Sequence, residues 1–183
     1  MADYPPLETE RLLLLPVTLE DAPAMQAIFP QWEIVRWLDA GGVPWPYPPD
    51  GCEVYLRDVL LPFVELGQRW SWTIRTRAAP SRLIGLITLT DVEDDHRGFW
   101  LDPAFHGQGL MSEAVEPVTD YWFDVLRRLV LRIPKAAENV PSRRISEKQG
   151  MRRVATIEKD YVGGRMLSDL WEITAEEWRA RRR

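Results

Sequence analysis

The amino-acid sequence predicts a single mixed α/β domain. Its 183 residues match the usual size of one domain. Stretches with the period-two pattern of strands are interspersed with segments whose apolar residues recur at helical spacing. No internal repeat and no shift in composition divides the chain. We therefore expect one domain over residues 1–183, with a core large enough to fold without disulfides.

The first quarter of the chain predicts a strand, a helix and a loop. Residues 10–17 form an apolar run that ends beside a proline, as a buried strand does. Thr18 and Asp21 have the spacing of a capping box, so a helix should follow and end near Pro30. The prolines of residues 41–51 argue against a helix or a central strand, and this stretch is expected to be a loop.

A second helix and three strands are expected next. Asp50 is a candidate cap for that helix, and Pro62 should bend or shorten it. Trp70, Trp72 and Ile74 alternate with polar residues, which is typical of a half-buried strand. The other two expected strands are residues 83–90, after a turn at 79–81, and residues 97–101.

The second half of the chain predicts a long helix followed by alternating elements. Apolar residues recur at helical spacing from Leu110 to Val125, and Pro117 should bend this helix. The elements expected after it are a strand at 129–133, a short helix at 139–149 ended by Gly150, two strands at 154–158 and 167–173 around a Gly163-Gly164 turn, and a last helix capped by Thr174. This order favours one mixed α/β sheet.

Charge and composition argue against several functions. The chain has 23 basic and 28 acidic residues, so its net charge of −5 is the wrong sign for general nucleic-acid binding. Cys52 is the only cysteine and there are two histidines, which excludes an intrachain disulfide and argues against a zinc site or any other metal. The sequence has no apolar stretch of about 20 residues and no leader-like start. We expect a cytoplasmic protein that binds neither nucleic acid nor membrane.

The segment from Gly98 to Ala114 carries the chemical signal. A strand ends at Asp102-Pro103, and a helix follows a turn that contains Gly107 and Gly109. Unpaired N–H groups at such a helix start, next to backbone without Cβ atoms, bind anions well. The segment lacks the lysine of a Walker loop and the third glycine of a Rossmann fingerprint. It therefore predicts a pyrophosphate bound in another way, or a tight turn without a ligand.

Three stretches together resemble one known family. They are Phe-Trp-Leu-Asp-Pro at 99–103, Gly-Gln-Gly-Leu-Met-Ser-Glu-Ala at 107–114, and Asn-Val-Pro-Ser at 139–142 ahead of Glu-Lys-Gln-Gly-Met. With Thr-Glu-Arg-Leu at 9–12, they resemble the GCN5-related N-acetyltransferases (GNAT), particularly the Rim-type branch that acetylates the N-termini of ribosomal proteins. His106 departs from the family's first turn position. Met111 departs from its last, where methionine is familiar in the Rim-type branch.

The resemblance implies a fold and a co-substrate. The fold would be a mostly antiparallel central sheet with splayed strands and helices on both faces, that is, a mixed α/β (α+β) GNAT-like architecture. The co-substrate would be acetyl-CoA, without a metal. The residues that the resemblance assigns to acetyl-CoA are His106, Gly107, Gln108, Gly109, Leu110 and Met111 for the pyrophosphate, and Phe99, Trp100, Leu101 and Asn139 for the pantetheine.

The resemblance also suggests catalytic residues. Ser142 would protonate or hydrogen-bond the CoA sulfur, or it is an ordinary first-turn serine. Asp160 would be the general base, or a solvated carboxylate at a hairpin end. The rival carboxylates are Asp91, Glu93, Asp94 and Asp95, which also read as a solvated loop.

The acceptor side of the site is expected at the proline-rich loop. Trp37, Trp45 and Tyr47 would form a wall of the acceptor site, or a lid without ligand contact. The function implied is acetyl transfer to a primary amine, with a protein or peptide N-terminal amine as the first guess. The alternatives are a small-molecule amine or antibiotic acetyltransferase and a non-catalytic acyl-CoA sensor. A homodimer is compatible with the sequence, which does not select an oligomeric state.

Overall fold

The computed structural model describes residues 4–181 and shows a mixed α/β fold with two antiparallel sheets. The strands are β1 Leu7–Glu8, β2 Leu12–Pro16, β3 Arg69–Thr76, β4 Ala79–Thr90, β5 Arg97–Leu101, β6 Val130–Ala136, β7 Arg152–Tyr161 and β8 Gly164–Thr174. The α-helices are α1 Ala22–Ile28, α2 Trp32–Val35, α3 Gly51–Val54, α4 Leu61–Glu65, α5 Leu110–Asp120, α6 Val140–Lys148 and α7 Ala175–Ala180. The 3₁₀ turns are Leu19–Asp21 and Pro103–Phe105, and the π-helical turns are Tyr55–Leu60 and Tyr121–Val125.

The two sheets meet at β5 and β6 and then diverge. One sheet has the order β1-β2-β3-β4-β5 and the other β6-β8-β7. The His96 N–H donates to the Arg132 carbonyl at 2.9 Å, and the Arg132 N–H donates to His96 Nδ1 at 2.8 Å. Within residues 4–181 no backbone hydrogen bond joins β5 to β6 beyond that point. The splayed strands implied by the family resemblance are therefore present.

One cluster of buried side chains links both sheets and the helices packed on them. Trp72, Trp122 and Trp178 are among its largest members and are at most 1% exposed. Ser71 and Thr73 are also fully buried, so β3 is covered on both faces and the prediction of a half-buried strand was wrong. The Ser71 N–H is satisfied by the Tyr4 hydroxyl at 2.9 Å, because residues before β1 cover that face.

Most predicted elements are confirmed, with differences at their ends. The short elements β1 and α2 were not predicted, and the turn expected at residues 79–81 lies at 77–78, because 79–81 already belong to β4. Thr18 and Asp21 form the predicted capping box, as do Thr174 and Glu177. Asp50 stands at the start of α3, but its side chain makes no capping hydrogen bond.

The two prolines that were expected to bend helices, Pro62 and Pro117, lie close to π-helical turns. The helix of residues 51–65 widens into the π turn just before Pro62, and α5 passes through Pro117 and widens at Tyr121. A proline has no N–H for the carbonyl one turn before it, yet both helices continue past their prolines. Between residues 4 and 181, no helix has both the length and the apolar character that a bilayer span requires.

Candidate active site

The turn between β5 and α5 has a backbone that favours glycine. Asp102 accepts a hydrogen bond from the Ala104 N–H at 3.0 Å and so caps the 3₁₀ turn that follows β5. Gly107 and Gly109 then adopt φ of +74° and +76°. Residues with a Cβ rarely adopt this left-handed conformation, which explains both glycines. The chain reverses within a few residues, and α5 starts at Leu110.

The N–H groups of residues 107–112 have no acceptor among the residues that the structure describes. They lie at the N-terminus of an eleven-residue helix, where the helix dipole adds partial positive charge. The side chains of Leu110 and Met111 point into the core, being 5% and 6% exposed. The turn therefore presents backbone donors, and its chemistry suits a diphosphate.

The polar side chains of the turn stabilise its shape. His106 Nε2 is 2.9 Å from the Leu101 carbonyl, and Gln108 Nε2 donates to the Ala104 carbonyl at 3.3 Å. The Gln108 carbonyl accepts from Arg11 Nη1 at 3.1 Å. The ring of His106 thus already has a partner at the end of β5, where the two sheets diverge.

Arg11 lies beside this turn and was not predicted as a site residue. Its guanidinium pairs with Glu113 at 2.6 Å, and its Nη2 is 3.7 Å from where a Cβ of Gly109 would be. Burial alone would raise the pKa of Glu113, but hydrogen bonds from Thr9 and Arg11 outweigh it and hold the pKa below 4.5. The Arg11 guanidinium thus lies beside the turn, with Glu113 as its counter-ion. The Thr-Glu-Arg-Leu stretch that contributed to the resemblance was the available signal.

The gap between β5 and β6 contains a serine, a lysine and an aromatic ring. Asn139 Oδ1 accepts the Ser142 N–H at 3.2 Å, so Asn139 caps α6 and places Ser142 in its first turn. Lys135 Nζ is 2.8 Å from Ser142 Oγ and 5.0 Å from the centre of the Phe99 ring. Lys135 was not predicted, although alternation along β6 puts it on the same face as the buried Leu131 and Ile133.

A different set of contacts holds the region where the acceptor side was predicted. The segment after α2 joins the β7–β8 hairpin through three backbone hydrogen bonds: Ala40 N–H to the Asp160 carbonyl, Val162 N–H to the Leu38 carbonyl, and Gly163 N–H to the Arg36 carbonyl, at 2.9 to 3.1 Å. A Cβ on Gly163 would lie 2.7 Å from the Arg36 carbonyl oxygen. This close approach explains Gly163, and Gly164, with φ of +116°, completes the predicted turn.

The predicted aromatic residues of this side differ in their contacts. Tyr47 packs edge-on against Phe29 at 4.9 Å, and Phe29 packs against Trp100 of β5 at 5.5 Å. The Phe29 ring therefore connects Tyr47 to Trp100 of β5. Trp45 is 45% exposed and tilts over Trp32 at 5.5 Å. Trp37 lies under the guanidinium of Arg36 at 4.3 Å.

Cys52 is packed beneath Tyr47. It is 1% exposed, and burial raises the pKa of its thiol despite a hydrogen bond with Tyr47. Burial also raises the pKa of Tyr47 above 10. Both groups stay protonated near neutral pH, which suits packing and not nucleophilic chemistry.

The carboxylates near the hairpin divide into paired and unpaired groups. Asp91 pairs with Arg128 at 2.6 Å and Asp94 with Arg132 at 2.9 Å. Glu93 and Asp160 are exposed. Within residues 4–181 no salt bridge involves Glu93, Asp95 or Asp160, so these three carboxylates stay candidates for a general base.

Asp95 and Asp39 lie near one lysine on the acceptor side. Lys159 Nζ is 2.8 Å from Asp39 Oδ2. Burial raises the pKa of Asp95, with Lys159 opposing and Asp39 reinforcing the shift, although the residue keeps contact with solvent. Lys159 and Tyr161 flank Asp160 in sequence, and alternation along β7 puts the Asp160 side chain on the other face of the strand.

Comparison with known proteins identifies the family. The model of the acetyltransferase (GNAT) domain matches residues 11–152. The curated relative "Probable N-acetyltransferase YjcK" of Bacillus subtilis (strain 168) is 30% identical over 100 residues, which are 52% of this chain and 53% of that protein. The aligned part of the chain thus spans about half the length of that relative.

Solved structures share the fold across nearly the whole chain. A RimL ribosomal L7/L12 alpha-N-protein acetyltransferase in complex with coenzyme A superposes with a TM-score of 0.78 at 15% identity, covering 93% of this chain and 98% of that one. The ribosomal-protein-S5-alanine acetyltransferase of Vibrio fischeri gives a TM-score of 0.80 at 15% identity, covering 96% and 99%. RimJ of Mycobacterium smegmatis in complex with CoA-disulfide gives a TM-score of 0.73 at 21% identity, and the match covers 91% of this chain and 83% of that one.

The family model covers both the β5–α5 turn and the start of α6, so the match includes the two features that shape the donor side of the site. The chain belongs to the GNAT acetyltransferase family.

Proposed function

We propose that this protein is an acetyl-CoA-dependent N-acetyltransferase that transfers the acetyl group directly to a primary amine. The observation that supports this most is the row of unpaired N–H groups at residues 107–112, next to the gap between β5 and β6. A diphosphate fits the unpaired N–H groups, and a slender chain with amide groups fits the gap between the two strands. Acetyl-CoA contains both.

The residues assigned to the donor fit this proposal. The backbone of residues 106–111 would bind the pyrophosphate, and Arg11 would contribute charge. The pantetheine would lie along Phe99, Trp100 and Leu101 and approach Asn139. When bound, acetyl-CoA supplies an activated acyl carbon, and the protein's part is to hold it beside the amine.

Three protein groups would act on the reacting atoms. An unpaired main-chain N–H at the β5 edge would stabilise the oxyanion that forms when the neutral amine attacks the acyl carbon. The C–S bond then breaks with its electron pair on sulfur, and Ser142 would provide the thiolate with a proton. Asp160 would accept the proton that the amine loses, with Asp95 as the rival base.

A protein or peptide N-terminal amine is the proposed acceptor. Support comes from the ribosomal-protein acetyltransferases among the similar structures, and from the exposed Trp45 and the half-buried Trp37 and Tyr47, which could receive an extended chain. A small cationic amine is the second candidate. The observation that favours it is the pair of carboxylates Asp39 and Asp95 near Lys159. We assign either reaction to the cytoplasm.

The decisive experiment measures CoA release with a panel of peptides and small amines. A peptide with a free N-terminus should give release that its N-terminally blocked copy does not. Calorimetric titration with CoA should show binding to the same protein. If CoA binds and no acceptor gives free thiol, the non-catalytic sensor is the correct function, and if CoA does not bind, the proposal is wrong.

A further inference from the structure

Lys135 is buried at the end of β6 without a carboxylate partner. It is 5% exposed, and no carboxylate of residues 4–181 lies within ion-pair distance of its Nζ. Its contacts are the Ser142 hydroxyl at 2.8 Å and the Phe99 ring at 5.0 Å. Burying an ammonium group without a counter-ion is costly, so a structural role alone would be served better by an apolar side chain.

The charged groups around Lys135 do not neutralise it. On β5, the buried guanidinium of Arg97 has the same sign and is itself bonded to Thr119 and Gln149 at 2.8 and 2.7 Å. Burial, and secondly the charge of Arg97, hold the pKa of Lys135 well below 10.5. A proton on this amine is therefore held less tightly than on an exposed lysine.

The neighbouring strand and helix offer no closer counter-charge. Asp169 faces Lys135 across the β6–β8 pairing, but its carboxylate accepts from Thr156 Oγ1 at 2.6 Å and lies 3.6 Å from Arg153. From α6, Arg143 pairs with Glu147 at 3.5 Å, and the group that reaches Lys135 is Ser142. Lys135 is thus directed at a single hydroxyl.

We propose that Lys135 is a positioning residue for proton delivery to the CoA sulfur, acting through Ser142. This inference rests on the proposed function. The ammonium donates one N–H to Ser142 Oγ, so the Ser142 O–H is free to point at the sulfur that leaves. Without that ammonium, the hydrogen bond that orients the Ser142 hydroxyl is lost.

The proton balance of the step is closed. As the C–S bond breaks, the Ser142 O–H proton goes to the thiolate, and an Nζ proton goes from Lys135 to Ser142 Oγ. Lys135 is left as a neutral amine and regains its proton from water after the products leave. The acceptor amine loses its own proton separately, to the general base or to water.

The arrangement predicts the direction of a pH effect. Above the pKa of Lys135 the neutral amine accepts a hydrogen bond from Ser142, and the hydroxyl proton turns away from the sulfur. Transfer should therefore decline as pH rises through that pKa. At lower pH the rate should fall for a different reason, because the acceptor amine becomes protonated.

The first test compares pH profiles of acetyl transfer for wild type, Lys135→Met, Lys135→Arg and Ser142→Ala. At a pH below the pKa of Lys135, Lys135→Met should lower kcat by about tenfold or more, and the alkaline decline should be lost. Lys135→Arg should also be slow and should lose the alkaline decline, because a guanidinium stays charged and does not release the proton that Ser142 needs. The double variant of Lys135→Met and Ser142→Ala should be no slower than Ser142→Ala alone, since both act on one proton.

The second test does not depend on the acceptor. The pKa of the thiol of bound CoA, followed by thiolate absorbance, should be higher in Lys135→Met than in wild type, with about a tenfold smaller thiolate fraction at a given pH. The resonance of ¹³C-labelled Lys135 should titrate well below an exposed lysine of the same protein. Melting temperatures and CoA affinity show whether each variant is folded.

The outcomes separate this inference from the proposed function. If wild type acetylates no acceptor but the bound thiol responds to Lys135→Met, the proposed function fails, and only the contact of the Lys135–Ser142 pair with the CoA sulfur is supported. If the thiol and the alkaline decline are both unchanged in folded Lys135→Met, the inference is wrong. It is equally wrong if the double variant is slower than Ser142→Ala, or if mass spectrometry finds acetyl-CoA acylating Lys135, which would make the lysine a nucleophile.

Discussion

The proposed donor side and the proposed acceptor side of this site are built from different parts of the chain. The donor side consists of backbone: six N–H groups at the start of α5 and the diverging edges of β5 and β6. The acceptor side consists of side chains on the segment after α2 and on the β7–β8 hairpin, joined by backbone contacts over more than a hundred residues of sequence. A site made of backbone groups depends on the conformation of a few neighbouring residues. A site made of side chains depends on which residues, distant in sequence, the tertiary fold brings into contact.

The two sides should therefore differ in how many substitutions they tolerate. The turn requires glycine where φ is positive and accepts many other residues, because the remaining side chains only hold it in shape. The acceptor wall has no such requirement. Its Trp45 is exposed and makes one ring contact, so substitution there changes recognition with little effect on the fold.

The largest expected effect tests whether backbone makes the donor side. Gly109→Ala places a Cβ on a residue with φ of +76°, beside the N–H groups that would bind the diphosphate. We expect CoA affinity to fall by about 30-fold in calorimetric titration, because the backbone moves away from this conformation and the methyl group obstructs close approach.

Gly67→Ala is the matched control for this prediction. Gly67 has φ of +67°, and a Cβ there would have no neighbour within 4 Å. Both variants should lose about 1–2 kcal/mol of unfolding free energy from the left-handed conformation. Equal CoA affinity of the two variants would show that the turn is not the donor site.

The second prediction tests which carboxylate serves the acceptor side. Asp160→Asn should lower kcat by about tenfold without changing CoA affinity, because it removes a proton acceptor from the reaction alone. Steady-state kinetics with one peptide acceptor provides the measurement. Glu158→Gln is the control, since Glu158 lies on the same hairpin and its 2.8 Å pair with Arg165 is exposed. A tenfold loss in Asp95→Asn with full activity in Asp160→Asn would assign the base to Asp95.

The sequence predicted the proposed donor side better than the proposed acceptor side, because local backbone conformations build the donor side. Gly107, Gly109, Asn139 and Gly150 each encode a backbone conformation or a cap locally, and the structure has each at its expected place. The order of strands and helices along the chain and the capping boxes at Thr18 and Thr174 also follow from local signals. Short elements such as β1 and α2 escape prediction, because two to four residues show no period.

Buried charges escaped prediction because burial is decided by the tertiary fold. Lys135 and Arg97 are charged residues in strands, and by composition either reads as an exposed position. Their burial follows from α5 and α6 covering the junction of the two sheets. The partners of Asp39, which include Lys159, could not be inferred either, since 120 residues separate the pair in sequence.

The third prediction concerns the link that fixes α5 to the N-terminal strands. Glu113→Gln should lower the unfolding free energy by about 1 kcal/mol at neutral pH, because the hydrogen bonds from Thr9 and Arg11 favour the ionised form. The pKa of Glu113 is below 4.5 in the folded protein, so its contribution is complete above that pH. It should vanish as pH falls through the folded pKa.

Chemical denaturation at several pH values provides this measurement. Glu8→Gln is the control, because Glu8 is 60% exposed and its pair with Arg77 should contribute at most about 0.5 kcal/mol. A Glu113→Gln deficit that persists well below the folded pKa would contradict the assignment to the ionised carboxylate.

The smallest expected effect lies at the acceptor wall. Trp45→Ala removes an exposed indole that contacts Trp32, so the unfolding free energy should change by less than about 1 kcal/mol. If the wall receives the acceptor, KM for a peptide should rise about threefold to tenfold, while CoA affinity stays constant. Leu129→Ala, which removes an 80% exposed apolar side chain next to β6, should change neither constant. An unchanged KM in Trp45→Ala would mean that the indole packs as a lid over Trp32, and that specificity resides deeper, at Asp39, Asp95 and Lys159.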